Sequence, residues 1–227
     1  WEQGPEPCTA APGLLRYGLL VVAAEAAGRP AITELFDAVG DAGRDGDDHL
    51  IGGSGSDQLV GGSGADLLAG GTEGDELIGG IGSDTYAYNL GDGNDIIDLE
   101  YAGPSPVYDS APESIDEILF GVGISPTNVT VRRDLNDSNA IRLTVYDPVT
   151  GAQSGFITVT DGFHGIHGSA MLDRVRFTDA PGIVWNRTDL ELLTLAGSNA
   201  GETITGFSTA DVIRGNGGND RLDGVDG

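Results

Sequence analysis

Between Gly43 and Asp98 an apolar or aromatic side chain returns at a fixed interval: Leu50, Leu59, Leu68, Leu77 and Tyr86, then Ile97 after a two-residue insertion at Tyr88-Asn89. Written in nines from Gly43, the stretch reads GRDGDDHLI, GGSGSDQLV, GGSGADLLA, GGTEGDELI and GGIGSDTYA, with LGDGNDIID as a sixth copy. The three residues x-U-x around each apolar position suit one rung of a parallel solenoid. Side chains in a rung alternate, so the middle one faces inward and its neighbours outward. The remaining six residues must reverse the chain. Successive rungs then face opposite sides, and turn i stacks on turn i+2.

Elsewhere the pattern changes. Residues 1–12 are Pro-rich. Residues 13–28 and 30–39 predict two short helices, with Pro30 in a first turn and Leu35, Phe36 and Val39 on one apolar face. They are expected to cap the open end of the solenoid. Residues 99–196 leave the nine-residue rhythm. Alternation there predicts strands at 117–120, 129–133, 141–146, 156–160 and 174–177, separated by turns such as Asn136-Asp137, Asp147-Pro148 and Pro181-Gly182. Thr188 is expected to cap a short helix through Leu193. The rhythm resumes at Gly197 as GSNAGETIT, GFSTADVIR, GNGGNDRLD and GVDG. The expected fold is all-β. An N-terminal helical cap (1–42) leads into a parallel β-roll (43–98), a small antiparallel β domain (99–196) and a second, truncated roll block (197–227).

The recurring polar positions carry the chemistry. Position six is aspartate in all six copies: Asp48, Asp57, Asp66, Asp75, Asp84 and Asp95. Glycine at positions one, two and four supplies backbone angles that a Cβ makes costly, and lets carbonyl oxygens approach a common centre. Carbonyls and carboxylates without sulfur or imidazole form a hard-oxygen donor set, which suits calcium better than zinc or copper. The expected ligands are the six aspartates with Gly46, Gly53, Gly55, Gly62, Gly64, Gly71, Gly80 and Gly82. Asp92 and Asp98 join them in the sixth copy, and Glu202, Asp211 and Asp220 in the second block. The pairs expected to share an ion are Asp48/Asp66, Asp57/Asp75 and Asp66/Asp84, with Asp75/Asp95 across the insertion. Carboxylates about 5 Å apart repel by roughly 1 kcal/mol in water and about 3 kcal/mol at an effective dielectric of 20, so such a ladder needs cations to close. About four to six calcium ions are expected. A disordered Gly/Asp linker is the alternative, and the strict phase with its inward apolar residue argues against it.

With its recurring glycines, aspartate and apolar residue, this nonapeptide resembles that of the RTX, or haemolysin-type, calcium-binding repeat proteins. The segments GSDTYAYNLGDGNDIID, DEILFGVGIS, FITVTDGF and DRVRFTDAPGIVW are similar to the haemolysin-type calcium-binding-related domain. Gly162-Phe163, where that domain has an aromatic pair, and the insertion at 101–114 depart from it. The resemblance implies a secreted bacterial protein, exported by a type I secretion machine, in which this region binds calcium and carries no catalysis. In the first block Glu73 stands where glycine is usual. In the second, Glu202 replaces aspartate and Phe207 and Thr209 replace glycines, so weaker or fewer ions are expected. Glu202 and Asp220 make the better pair there.

Composition narrows the partners. The 227 residues carry 36 acidic and 11 basic side chains, a formal net charge of −25, and every basic residue is arginine. That argues against nucleic acid and anionic membranes and favours multivalent cations. Cys8 is alone, so no internal disulfide forms. The apolar run 14–27 is too short to span a bilayer and its acidic flank (Glu2, Glu6) does not make a signal peptide. The chain begins at Trp1 and stops inside a repeat, and it reads as a piece of a longer protein. His164 and His167 form an HxxH pair without a third zinc ligand, and His49 faces outward. No HExxH, G-x-S-x-G or P-loop occurs. Asp147-Pro148, a dipeptide tied to calcium-dependent self-cleavage in some such proteins, reads as a turn. The expected function is a non-catalytic calcium-binding module that folds outside the cell. The alternatives are a calcium-rigidified adhesin or surface-layer segment binding a glycan or protein partner, and a hydrolase fragment using Asp161 or His164.

Overall fold

Leucines at a nine-residue spacing end up on alternate walls of a flattened coil, because each nonapeptide crosses once and turns back. The computed structural model describes residues 45–99, 114–134, 140–160, 172–197, 200–206 and 211–224. The expected helical cap, Asp161, Gly162-Phe163, His164, His167, Phe207 and Thr209 lie outside these. The first block forms β1 (His49–Ser54), β2 (Gln58–Ser63), β3 (Leu67–Thr72), β4 (Glu76–Ile81), β5 (Thr85–Tyr88) and β6 (Asn94–Asp98). Pairing is parallel and skips one strand: β1 with β3, β3 with β5, β2 with β4 and β4 with β6. Leu50 stands opposite Leu68 and Leu59 opposite Leu77, an offset of two nonapeptides.

The first four strands are six residues long rather than the expected three. They run on through the glycine pair, where Gly53 still pairs with Gly71. Without side chains, neighbouring backbones come close enough there to keep the ladder.

The segment 99–196, expected as an antiparallel unit, extends both walls of the roll. It contributes β7 (Asp116–Phe120), β8 (Val129–Arg133), β9 (Ile141–Tyr146), β10 (Gln153–Thr160), β11 (Leu172–Phe177) and β12 (Val184–Asn186). One sheet has the order β1-β3-β5-β7-β11-β12 and the other β2-β4-β6-β10-β9-β8. β7, β10 and β11 join in parallel, whereas β9, β8 and β12 add antiparallel strands at the far end. The inward columns make one core. Leu50, Leu68, Tyr86, Ile118 and Val175 line one wall, and Leu59, Leu77, Ile97, Val159 and Ile141 the other, all buried. Complete burial of each such side chain is worth roughly 1.5–3 kcal/mol.

The far end is closed by aromatic packing of Phe120 on Phe177 (5.4 Å between centroids) and of Phe177 edge-on to Trp185 (4.8 Å). Helix α1 (Arg187–Thr194) packs against β8, β11 and β12. Its N-cap is Asn186, not the expected Thr188: the Asp189 amide donates to Asn186 Oδ1 (3.1 Å) and the Asn186 amide to Asp189 Oδ2 (3.0 Å). This reciprocal box uses a longer-reaching pair than Thr188 offers, and starts the helix two residues sooner. Among its described residues the second block adds β13 (Thr203–Thr205) and β14 (Arg221–Asp223), paired in parallel. Among the described residues no helix is long and apolar enough to cross a membrane.

Candidate metal centre

The position-six aspartates follow the turn and precede the strand, so each carboxylate lies at the edge of its wall, inside the bend. There they form a ladder. The amide of Asp48 donates to Asp66 Oδ1 (2.8 Å), and that of Asp66 to Asp84 Oδ1 (2.9 Å). On the opposite edge Asp57 donates to Asp75 Oδ1 (2.9 Å) and Asp75 to Asp95 Oδ1 (3.1 Å). The four pairs expected from the sequence are thus spatial neighbours. Glu202 and Asp220 repeat the motif in the second block, with the Glu202 amide on Asp220 Oδ1 at 3.0 Å.

Each ladder bond uses one carboxylate oxygen. The other, Oδ2, is enclosed and has no hydrogen-bond partner at Asp48, Asp57, Asp66 and Asp75. A buried carboxylate oxygen with no donor is costly unless a cation meets it. Asp66 and Asp95 are each only 2% exposed. Burial, reinforced by neighbouring carboxylates and opposed by the ladder bond, raises both from 3.8 to about 7. The same causes raise Asp75 to about 6. Burial also raises Asp48, Asp57 and Asp92. No Lys or Arg occurs anywhere in residues 45–99, so that stretch contains no counter-charge of its own.

The glycines set the closeness. Gly46, Gly53, Gly55, Gly62, Gly64, Gly71, Gly80 and Gly82 all have positive φ. At Gly82 (φ 134°) a Cβ would collide with the Gly64 carbonyl one rung away. At Gly52 a Cβ would meet the Gly70 carbonyl at 2.5 Å and Asp57 Oδ2 at 2.7 Å, so carbonyl and carboxylate oxygens gather over the same bare Cα. Glu73 adopts φ 90°, the glycine-like angle, and its carbonyl still accepts from the Asn94 amide (2.9 Å). The turn geometry is therefore kept, at a backbone cost.

Other expected ligands lie off the ladder. Asp92 Oδ2 accepts from the amide (2.6 Å) and side chain (3.2 Å) of Asn89, closing the inserted loop. Asp98 Oδ1 accepts from Thr160 Oγ1 at 3.3 Å. Asp211 lies beside Arg133, whose charge it supports.

Two members of the ladder were missed. The Asp84 amide donates to Asp116 Oδ1 (3.0 Å), and the Asp116 amide to Asp173 Oδ2 (2.9 Å). A β-bulge between Leu172 and Arg174 carries Asp173 into place. Both begin the tetrapeptide Asp-x-apolar-x, DEIL and DRVR, which matches DHLI and DQLV of the first block.

Among the described residues, no three or more His, Cys, Asp or Glu side chains converge as a metal cluster. A cation in these bends would draw on carboxylates from stacked turns together with backbone carbonyls. That donor set fits a hard ion with many oxygen ligands.

Comparison with known families agrees with this chemistry. The family model described as RTX calcium-binding nonapeptide repeat (4 copies) matches residues 42–77, 60–97 and 197–227. Its matches thus cover both blocks and leave the segment between them outside. No curated protein matches the chain.

Proposed function

The chain carries RTX calcium-binding nonapeptide repeats in two blocks, and from that premise we propose that it is a non-catalytic module that folds as calcium fills the bends. Its setting is the outside of a bacterial cell, reached through a type I secretion machine. The observation that supports this is the row of enclosed Oδ2 atoms at Asp48, Asp57, Asp66 and Asp75 within residues 45–99, a stretch with no Lys or Arg. The ligands would be the six first-block aspartates with the glycine carbonyls of their turns, and in the second block Glu202, Asp211 and Asp220.

A site with free calcium at ten times its dissociation constant contributes about 1.4 kcal/mol. Four or five such sites give roughly 6–7 kcal/mol, about the whole stability of a typical domain. Metal binding and folding are then one event. Extracellular calcium modules bind at about 10⁻⁴–10⁻³ M, so the acidic chain stays open in calcium-poor cytosol and closes outside. Far-UV circular dichroism moves from coil in chelator to β in millimolar calcium, and calorimetry counts four to six ions. Identical spectra in the two conditions would refute coupled folding.

A further inference from the structure

Three arginines, Arg132, Arg133 and Arg142, gather beside the second block. A groove of about 770 Å³ opens where the outward face of β8–β9 meets β13. Arg132 and Arg142 stand directly opposite one another across the antiparallel pair. Like charges in that relation destabilise a sheet, and an anion lying across both removes the cost. The protein's own carboxylates do so only in part. Arg142 Nη2 meets Asp134 Oδ2 at 2.6 Å, but Arg132 Nη2 lies 3.7 Å from Glu202 Oε1, beyond hydrogen-bond reach. Arg142 Nε has no hydrogen-bond partner, and the guanidinium is held over the Phe156 ring at 4.4 Å, which fixes its plane. Both arginine side chains remain more than a third exposed.

The lining also selects the kind of anion. Thr144, Thr203 and Thr205 bring hydroxyls to the groove, and Asp134 and Glu202 bring acceptors. Those two carboxylates repel a phosphate-rich polyanion and accept from hydroxyl groups instead. A monoanion that also carries several hydroxyls satisfies donors and acceptors together. The volume falls within the usual range for small-ligand sites, about 300–1,000 Å³. We propose that this groove binds a carboxylate-bearing saccharide, its carboxylate lying across Arg132 and Arg142 and its hydroxyls on the threonines and acids of the rim. Of the groove's lining only Glu202 is also a proposed calcium ligand, and the carboxylate site on Arg132 and Arg142 draws on no residue of the bends.

Calorimetry on the full chain in millimolar calcium tests it, with sialyllactose, a glucuronate-containing disaccharide and lactose as probes. An acidic sugar binds, with lactose and the Arg132→Gln variant each about tenfold weaker or worse, since a charge-assisted hydrogen bond is worth about 1.5–3 kcal/mol. Should Arg132→Gln lose the calcium-induced β spectrum, Thr203→Trp on the exposed rim serves instead and must block binding. Absence of heat with both acidic sugars overturns the proposal. So does equal affinity for lactose, or full binding by the folded variant. The calcium-induced spectrum is read on the same samples. A chain that folds on calcium and ignores acidic sugars sinks the groove and leaves the calcium reading standing.

Discussion

Protons should substitute for calcium as the counter-charge of the aspartate ladder. Asp66 and Asp95 move from 3.8 to about 7 and Asp75 to about 6, chiefly through burial. A raised value in the folded state means that folding takes up protons. The stabilising contribution is therefore complete below 3.8 and is lost as pH climbs through 6 and 7. Going from about pH 8 down to about pH 5, Asp66 and Asp95 each recover about 2.6 kcal/mol and Asp75 about 1.4 kcal/mol. The total, roughly 6–7 kcal/mol as an upper limit, rivals the net stability of a domain. This window also stays above the sequence pI of about 4.1, where residual charge opposes aggregation. In EGTA, far-UV circular dichroism shows coil at pH 8 and β structure at pH 5, whereas in millimolar calcium the chain is β at both. A chain in EGTA with the same spectrum at both ends of the window, folded or unfolded, refutes the charge argument.

Three substitutions probe single links. Asp66→Asn keeps the Oδ1 acceptor for the Asp48 amide but removes the charge. In EGTA at neutral pH it raises the folded fraction, and in calcium it shifts the titration midpoint upward by about tenfold, or about 1.4 kcal/mol. Asp66→Ala also orphans that amide and, relative to Asp66→Asn, costs a further ~1–3 kcal/mol in urea melts in calcium; equal behaviour of the two variants would deny the ladder bond. Gly82→Ala places a Cβ on the Gly64 carbonyl at φ 134° and lowers stability in calcium by roughly 2–4 kcal/mol, so a wild-type urea midpoint would contradict the close approach. Glu73→Gly relieves a non-glycine residue at φ 90° and gains about 1 kcal/mol, seen as a Tm rise of about 2–4 °C; an unchanged Tm counts against strain there.

The first block was readable because one nine-residue phase fixes both what faces inward and what turns the chain. Leu59 and Asp57 fall on the inside wall and in the bend for the same reason: their places in the repeat. Strands β8 and β9 were also readable to their bounds, since strict alternation such as Ile141-Arg142-Leu143-Thr144-Val145 marks a half-buried strand. What alternation does not carry is the partner. DEILF and LDRVRF read as strands of any sheet, and only the fold shows the first pairing with β5 and the second with β7, both in parallel. Their spacings from Asp84, 32 residues to Asp116 and a further 57 to Asp173, hide the ladder from any search at a fixed period. Thr188 failed as a cap because capping depends on which side chain reaches back, and the Asn186–Asp189 pair reaches better.

Charge explains where the ladder stops. Residues 45–99 hold twelve acidic side chains and no arginine, so that stretch must import its cations. Beyond it, Glu117 and Asp134 meet cations built into the chain. Glu117 is gripped by Arg174 (2.6 Å) and Arg176 (2.9 Å), which hold its carboxyl below its ordinary value despite burial. Asp134 has Arg142. On the wall of β2, β4 and β6 the next rung, β10, brings no aspartate into the bend. Ile157 stands opposite Asp95 instead, while Gly155 lies hard against the Gly93 carbonyl, to which the Tyr88 hydroxyl donates at 2.7 Å. A neutral donor thus meets that carbonyl. On the calcium reading the nonapeptides draw positive charge from solvent, whereas Glu117 and Asp134 draw it from arginine. Calcium withdrawal should accordingly open β1–β4 before β7–β11, an order that hydrogen exchange in a chelator titration reads directly.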